Sequence, residues 1–331
     1  MRQYVATFAN FVCRFGDDKV LLDYAKEIVL PAFFDDTYIR SHGKKAQFFF
    51  YEVEQVILNE DQHDPILGIA GRFIKNTYLT REQIFDPEKG IVADAASIQS
   101  SPSASFLLIL NNHRLIYFPE TTYAPDLATF RVTVLDFIKR KHRAFLDHLY
   151  EDLNKEEKTV TKKQLIEMHP HPSLEIISIS GDEQVESFIR RYGKLKKIQF
   201  RLITPNDEID GAALFSAMRE HLSPLNPNSA KIDVSSGKEG LDIEAAITVV
   251  KEATKTANHE VRLTGFDQQG NILNGDNHEF RIETEIEPVP PTRKGLVKRL
   301  FGAFTELVSG GSIKIGNHVG DISQKIRGLI G

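Results

Sequence analysis

Few residues of this chain stand at spacings that could do chemistry, and each spacing lacks something different. Arg143-Ala-Phe-Leu-Asp-His148 sets an arginine five residues before a histidine in a helical stretch. RNA cleavage needs such a pair, the guanidinium on the phosphate and the imidazole for acid and base work. Basic helices produce the spacing readily by chance, so a solvated helix face is the first reading and a ribonuclease or nuclease effector the alternative. Asp126 with Glu156 and Lys158 supplies two carboxylates and a lysine, the set that holds magnesium and a phosphate in metal-dependent nucleases, but at helix boundaries rather than on adjacent strands. Gly311-Ser-Ile-Lys-Ile-Gly316 has the glycine spacing of a phosphate loop, yet Asn317 and His318 stand where lysine and a hydroxyl residue are required. His169 and His171 flank Pro170 without a third ligand at metal spacing and read as linker. Cys13 lies in an apolar strand with no activating base, which predicts an inert buried thiol. These patterns point to no catalytic residue, no metal and no cofactor.

Clustered cations are the stronger signal. Lys139, Arg140, Lys141 and Arg143 fall in the middle of one long helical stretch, with Lys139 and Arg143 at i and i+4 and able to span neighbouring phosphates. Arg190, Arg191, Lys194, Lys196, Lys197 and Arg201 gather six cations at a helix-to-strand turn with no acidic residue among them. Contact of this kind would be largely independent of base sequence and steeply salt-dependent. A third basic segment closes the chain. From Thr292 to Gly331, seven Lys and Arg residues oppose only Glu306 and Asp321, so this tail carries +5 in a chain of net charge −5, and everything before it carries −10. A basic element on an acidic body seeks an anionic surface, nucleic acid or phospholipid. Leu296, Leu300 and Phe304 form an apolar stripe beside Phe301, with Lys294, Lys298 and Arg299 largely to its side. That pattern suits an interfacial helix on an anionic membrane, and equally a helix packed on the body or on a second copy.

The elements that must position these residues read as α+β: two mixed units with largely antiparallel sheets, then the basic amphipathic tail. Strands are expected at Tyr4–Arg14, Lys45–Leu58 and Arg72–Tyr78, with a short helix over Lys19–Ile28. Ala95 to Ser105 reads as a small-residue loop. Ser105–Ile109 and Leu115–Phe118 form a hairpin whose Asn111-Asn112 turn suits type I′. After Pro125 a helical period runs to about Leu153 and closes a first domain, 1–153. The polar stretch 154–172, ending His-Pro-His-Pro, reads as a linker. A second α+β domain, 173–287, alternates strands and helices, and 288–331 is a proline linker and the tail. With 331 residues, 41% of them hydrophobic, both units can bury a core. One cysteine forbids an internal disulfide and fits a reducing cytosol. No stretch is long and apolar enough to span a bilayer, so any membrane role is peripheral, at the inner membrane.

Two stretches resemble a known family. Ser105–Ile109, Asn112 and Leu115–Phe118, running into Thr121-Thr-Tyr-Ala-Pro-Asp-Leu127 and the Phe130 helix, are similar to the central region of the RexA exclusion proteins of lambdoid phages. Val261–Leu273 resembles the strand, acidic-glycine turn and strand before their closing region. The likeness covers about half the chain and contains no signature motif, and the tail beyond Pro291 has no counterpart. It implies a two-domain, homodimeric, double-stranded-DNA-binding protein of bacterial antiphage defence, acting with a membrane protein partner rather than by its own chemistry. Residue contacts are not carried over. The ten body cations above are chosen on charge alone.

Overall fold

In the computed structural model, the described residues are 3–43, 45–59, 61, 63–156, 160–204, 206, 213–225, 229–316 and 322–330. The architecture is α+β, with two antiparallel sheets. The larger sheet is organised on β1 (Val5–Phe15), whose apolar residues run nearly without a break, so that both of its faces must be covered. Phe11, Cys13 and Phe15 point to one face and Phe8 and Val12 to the other, and each set enters a separate core.

After β1 come β2 (Lys19–Val20), a tight helical passage over 21–29 and α1 (Leu30–Phe34), then β3 (Arg40–His42), β4 (Ala46–Ile57) and β5 (Leu67–Asp86). β6 (Gly90–Ser100), β7 (Ser103–Ile109) and β8 (Arg114–Pro119) follow. β6 corrects the expectation of a loop at 95–105. Its Ala and Ser residues alternate in exposure and pair with the outer half of β5, so small residues here line a ribbon rather than break a strand. The β7–β8 hairpin is as expected, but its turn is not type I′: His113, not an asparagine, takes the positive φ of 55°. Asn111 instead uses its amide to tie the turn to Pro65 and Leu67.

α2 (Leu127–Lys155) starts where Asp126 accepts from the Thr129 amide at 2.7 Å, a side-chain cap on an otherwise unsatisfied N–H. Phe130, Val134, Phe137 and Ile138 pack from α2 onto one sheet face. The Phe130 ring meets those of Phe50, Phe73, Phe106 and Tyr117 at 5.2–5.7 Å. α3 (Lys162–Met168) then lies inside the stretch read as linker; Thr161 and Gln164 form its capping box and Leu165 is buried.

The domain boundaries also differ from the reading of 173–287 as a separate unit. β9 (Pro172–Ser178) pairs with β1 over Ala9–Phe15, and β14 (Glu283–Glu285) pairs with β1 over Val5–Thr7. Both therefore belong to the first sheet. What lies between them forms the smaller unit: α4 (Asp182–Ile189), β10 (Tyr192–Leu202), α5 (Ala213–Leu222), β11 (Ala230–Ser235), α6 (Ile243–Thr254), β12 (His259–Asp267) and β13 (Ile272–Asp276). Its sheet runs β11-β10-β12-β13. Phe188 of α4 and Val250 of α6 cover Ile198 and Phe200 on one face. The units are joined through β1, where Asn10 donates to Asn258 at 2.8 Å and accepts from the buried Arg114 at 2.7 Å.

For α7 (Arg293–Ser309) the fold matches the alternative of a helix packed on the body rather than an interfacial one. This helix lies on the second face of the large sheet, with Leu296, Leu300, Ala303 and Phe304 buried beside Phe8 and Ile116. α8 (Ile322–Arg327) docks beyond it: Ile326 is buried in the α2-side core and Lys325 reaches Asp23 at 2.8 Å.

Candidate anion-binding site

Where the chain places its cations separates the three basic segments. On α2, residues 139, 142, 143 and 146 share one face by helical period, and that face lines a cavity of about 690 Å³. α3 forms the opposite wall with Lys162, Leu165 and Ile166, and the loop into β9 closes one end with His171 and Pro172. Lys139 and Arg143 are exposed at the rim, and neither has a carboxylate at ion-pair distance among the described residues. The nearby Asp147 is held at 2.8 Å by Lys162, which together with Arg143 keeps its carboxyl below the usual range. The rim therefore carries a net positive charge.

His142 forms part of the cavity's inner wall, almost fully buried, with Nε2 2.9 Å from the carbonyl oxygen of His169. Burial lowers its pKa, outweighing that contact, and the ring is held neutral. Its centroid is 5.4 Å from that of His171, nearly edge-on. His169 is engaged elsewhere, its Nδ1 2.7 Å from the Tyr24 hydroxyl. The two histidines read as linker thus have separate structural surroundings.

Arg140 and Lys141 splay to the other side of α2, as the helical period requires. Arg140 pairs with Asp136 at 2.7 Å and donates to the Ile39 carbonyl, while Lys141 meets Asp35 at 2.6 Å and sits over the Tyr38 ring. These two fasten α2 to the segment after α1. Arg143 and His148 are not brought together: five residues turn a helix by about 500°, leaving the side chains about 140° apart, and His148 does not line the cavity. Lys158, Asn317 and His318 lie outside the described residues.

Half of the second segment is neutralised by carboxylates. Arg190 pairs with Glu244 at 2.6 Å and Glu186 at 2.9 Å, and Lys197 with Asp233 at 2.8 Å. Arg201 holds Glu175 at 2.6 Å and Glu260 at 3.2 Å, so it bridges the two sheets. Lys196 donates to the Gly237 carbonyl, and Arg191 stacks on the Phe188 ring at 4.8 Å. Only Lys194 and Arg191 of the six are exposed without a carboxylate partner among the described residues. The absence of acids in the linear segment concealed the acids on β9, β11, β12, α4 and α6.

On α7 the apolar stripe is engaged within the molecule: Leu296, Leu300 and Phe304 are 6%, 1% and 3% exposed, and Phe301 is half-buried beside them. Lys294, Lys298 and Arg299 face outward, exposed. The helix that carries this basic face packs on the sheet face opposite to that covered by α2. Cys13 is fully buried, and burial pushes its thiol up to about 12. No helix among the described residues is long and apolar enough to cross a membrane. No protein-family model matches the chain, and no curated protein does.

Sequence reasoning missed His142, His171 and Lys162 as companions of Lys139 and Arg143. The signal for His142 was present, since it falls between the two cations on the same helical face. Lys162 and His171 could not be found that way, because their place depends on how α3 folds back.

Proposed function

We propose that the protein binds nucleic acid through phosphate contacts made by Lys139 and Arg143, with little dependence on base sequence, as a non-enzymatic double-stranded-DNA-binding component of antiphage defence or prophage exclusion. The observation that carries this reading is the pair of exposed cations, one helical turn apart on the mouth of a cavity, left without ion-pair partners among the described residues, whereas Arg190, Lys197 and Arg201 of the other body segment are held by carboxylates. Two cations at this spacing suit adjacent backbone phosphates. The resemblance to the RexA family supports the duplex as ligand and supplies the defence setting.

The membrane protein partner and homodimer implied by the same resemblance enter the proposal with a different chemistry from the one the stripe suggested. With Leu296, Leu300 and Phe304 packed inward, α7 offers an anionic partner or anionic membrane surface only Lys294, Lys298 and Arg299. Attraction of that kind is electrostatic and weakens with salt.

Duplex binding measured by fluorescence anisotropy across a salt series tests the reading. Affinity should fall steeply with salt, and Lys139→Ala with Arg143→Ala should lower the slope of log K against log salt by about 1.8, the share of two phosphate contacts. Lys197→Ala should leave the slope unchanged. Salt-insensitive binding, or a slope untouched by the double substitution, would overturn the proposal.

A further inference from the structure

A flat contact with a duplex backbone requires cations but no hollow, yet Lys139 and Arg143 stand at the mouth of one. Its volume of about 690 Å³ lies in the range of small-molecule pockets, roughly 300–1,000 Å³. Its chemistry is two-sided. Cations occupy the α2 rim, while Leu146, Leu165, Ile166 and Pro172 supply an apolar wall. The His171 ring is exposed at one end, and imidazole faces stack with nucleobases as other aromatic faces do. The one carboxylate on the rim, Asp147, is tied to Lys162 and leaves a net charge suited to a single phosphate rather than a polyphosphate chain.

The geometry points to a pocket for one nucleotide, its phosphate between Lys139 and Arg143 and its base against Leu165, Ile166 and His171. This rests on the nucleic-acid reading above and deepens it. The nucleotide can come from two sources, a free nucleoside monophosphate or an unpaired nucleotide of a strand. Both present the same phosphate and base to the same residues.

Calorimetric titration of the full chain with adenosine monophosphate, adenosine and inorganic phosphate tests the pocket. Adenosine monophosphate should bind at least about tenfold more tightly than either part alone, a difference of about 1.4 kcal/mol. Arg143→Ala should reduce it to the level of adenosine. Ile166→Trp, which fills the apolar half, should reduce it to the level of inorganic phosphate, with an unchanged circular dichroism melt establishing that the variant folds. Equal affinity for phosphate and adenosine monophosphate, or an Ile166→Trp protein that folds and binds the nucleotide as before, would overturn the base seat. The two readings fail separately: salt-dependent duplex binding lost in the Lys139→Ala, Arg143→Ala protein, with no nucleotide binding by the unaltered chain, sinks the pocket and leaves the backbone contact standing. Tighter binding of a duplex with a single-stranded overhang than of a blunt one, abolished by Ile166→Trp, assigns the strand as source; equal binding of the two duplexes beside tight nucleotide binding assigns the free nucleotide.

Discussion

The basic stretches on α2 and at the start of and along β10 look alike in sequence, and the fold deals with their cations by different geometry. On α2, successive cations radiate around a helix, so two reach carboxylates on one side and two are left facing a cavity on the other. β10 is an inner strand, flanked by β11 and β12, and cations on its open face find acidic residues on the neighbouring strands at cross-strand distance. Lys197 meets Asp233 and Arg201 meets Glu260 in this way. Whether the cations of a run stay unpaired thus depends on the acidic neighbours of the element carrying it, and the linear sequence does not list neighbours.

α7 extends the comparison to a helix whose apolar side also has a fixed partner, and gives the largest expected effect. Phe304 is 3% exposed against Phe8 and its neighbours. Phe304→Ala should cost about 3–5 kcal/mol in urea unfolding, the range for deleting a buried aromatic side chain. Lys298→Ala on the same helix should stay within about 0.5 kcal/mol of the parent. If both changes were silent, α7 would not be packed on the body and the comparison would break.

Arg201 tests the β10 side directly. It is partly buried and joins two carboxylates across the sheets, so Arg201→Ala leaves Glu175 and Glu260 without it and should destabilise by about 1.5–3 kcal/mol, as for hydrogen bonds to charged groups. Arg190, with its side chain 48% exposed, should contribute at most about 1 kcal/mol on replacement by alanine, because solvent screens exposed pairs. On the α2 side, Lys139→Ala with Arg143→Ala should leave the unfolding midpoint unchanged while weakening duplex binding by about tenfold at low salt. A loss of stability there would mean that these cations are structural like those of β10, and the distinction would collapse.

Much of the fold was legible because it depends on local pattern. The period from Leu127 to Leu153 placed α2, and alternation placed β1, β4 and β7–β8. The domain division was not legible, since β9 and β14 join β1 from 157 or more positions away along the chain, and nothing in their own residues names that strand. The site was half legible. Helical period put Lys139 and Arg143 together, whereas the wall of α3 lay inside a stretch whose polarity reads as linker. The six cations from Arg190 to Arg201 misled for the converse reason: a segment without acids is not a surface without acids.

The smallest effect separates the two regions by pH. Burial lowers the pKa of His142, and burial with the nearby Lys19 lowers that of His169. Each histidine is therefore easier to protonate in the unfolded chain, so stability is full above the ordinary imidazole value near 6.5 and declines as pH falls from there, levelling once the folded rings also take up protons. On the β10 side the groups are carboxylates. Burial works to raise Glu260, and hydrogen bonds from Arg262 and Arg201 outweigh it and hold the carboxyl low; Lys197 and Gln199 do the same for Asp233. Their contribution is present above the ordinary carboxylate range and is lost only as pH falls below about 4.5 through their lowered values. Unfolding midpoints across pH should thus fall in two separate steps, the upper one diminished by His142→Gln and the lower one by Glu260→Gln. A single step in the carboxylate range, unaltered by His142→Gln, would show that His142 is solvated, and would remove the buried inner wall beside Lys139 and Arg143.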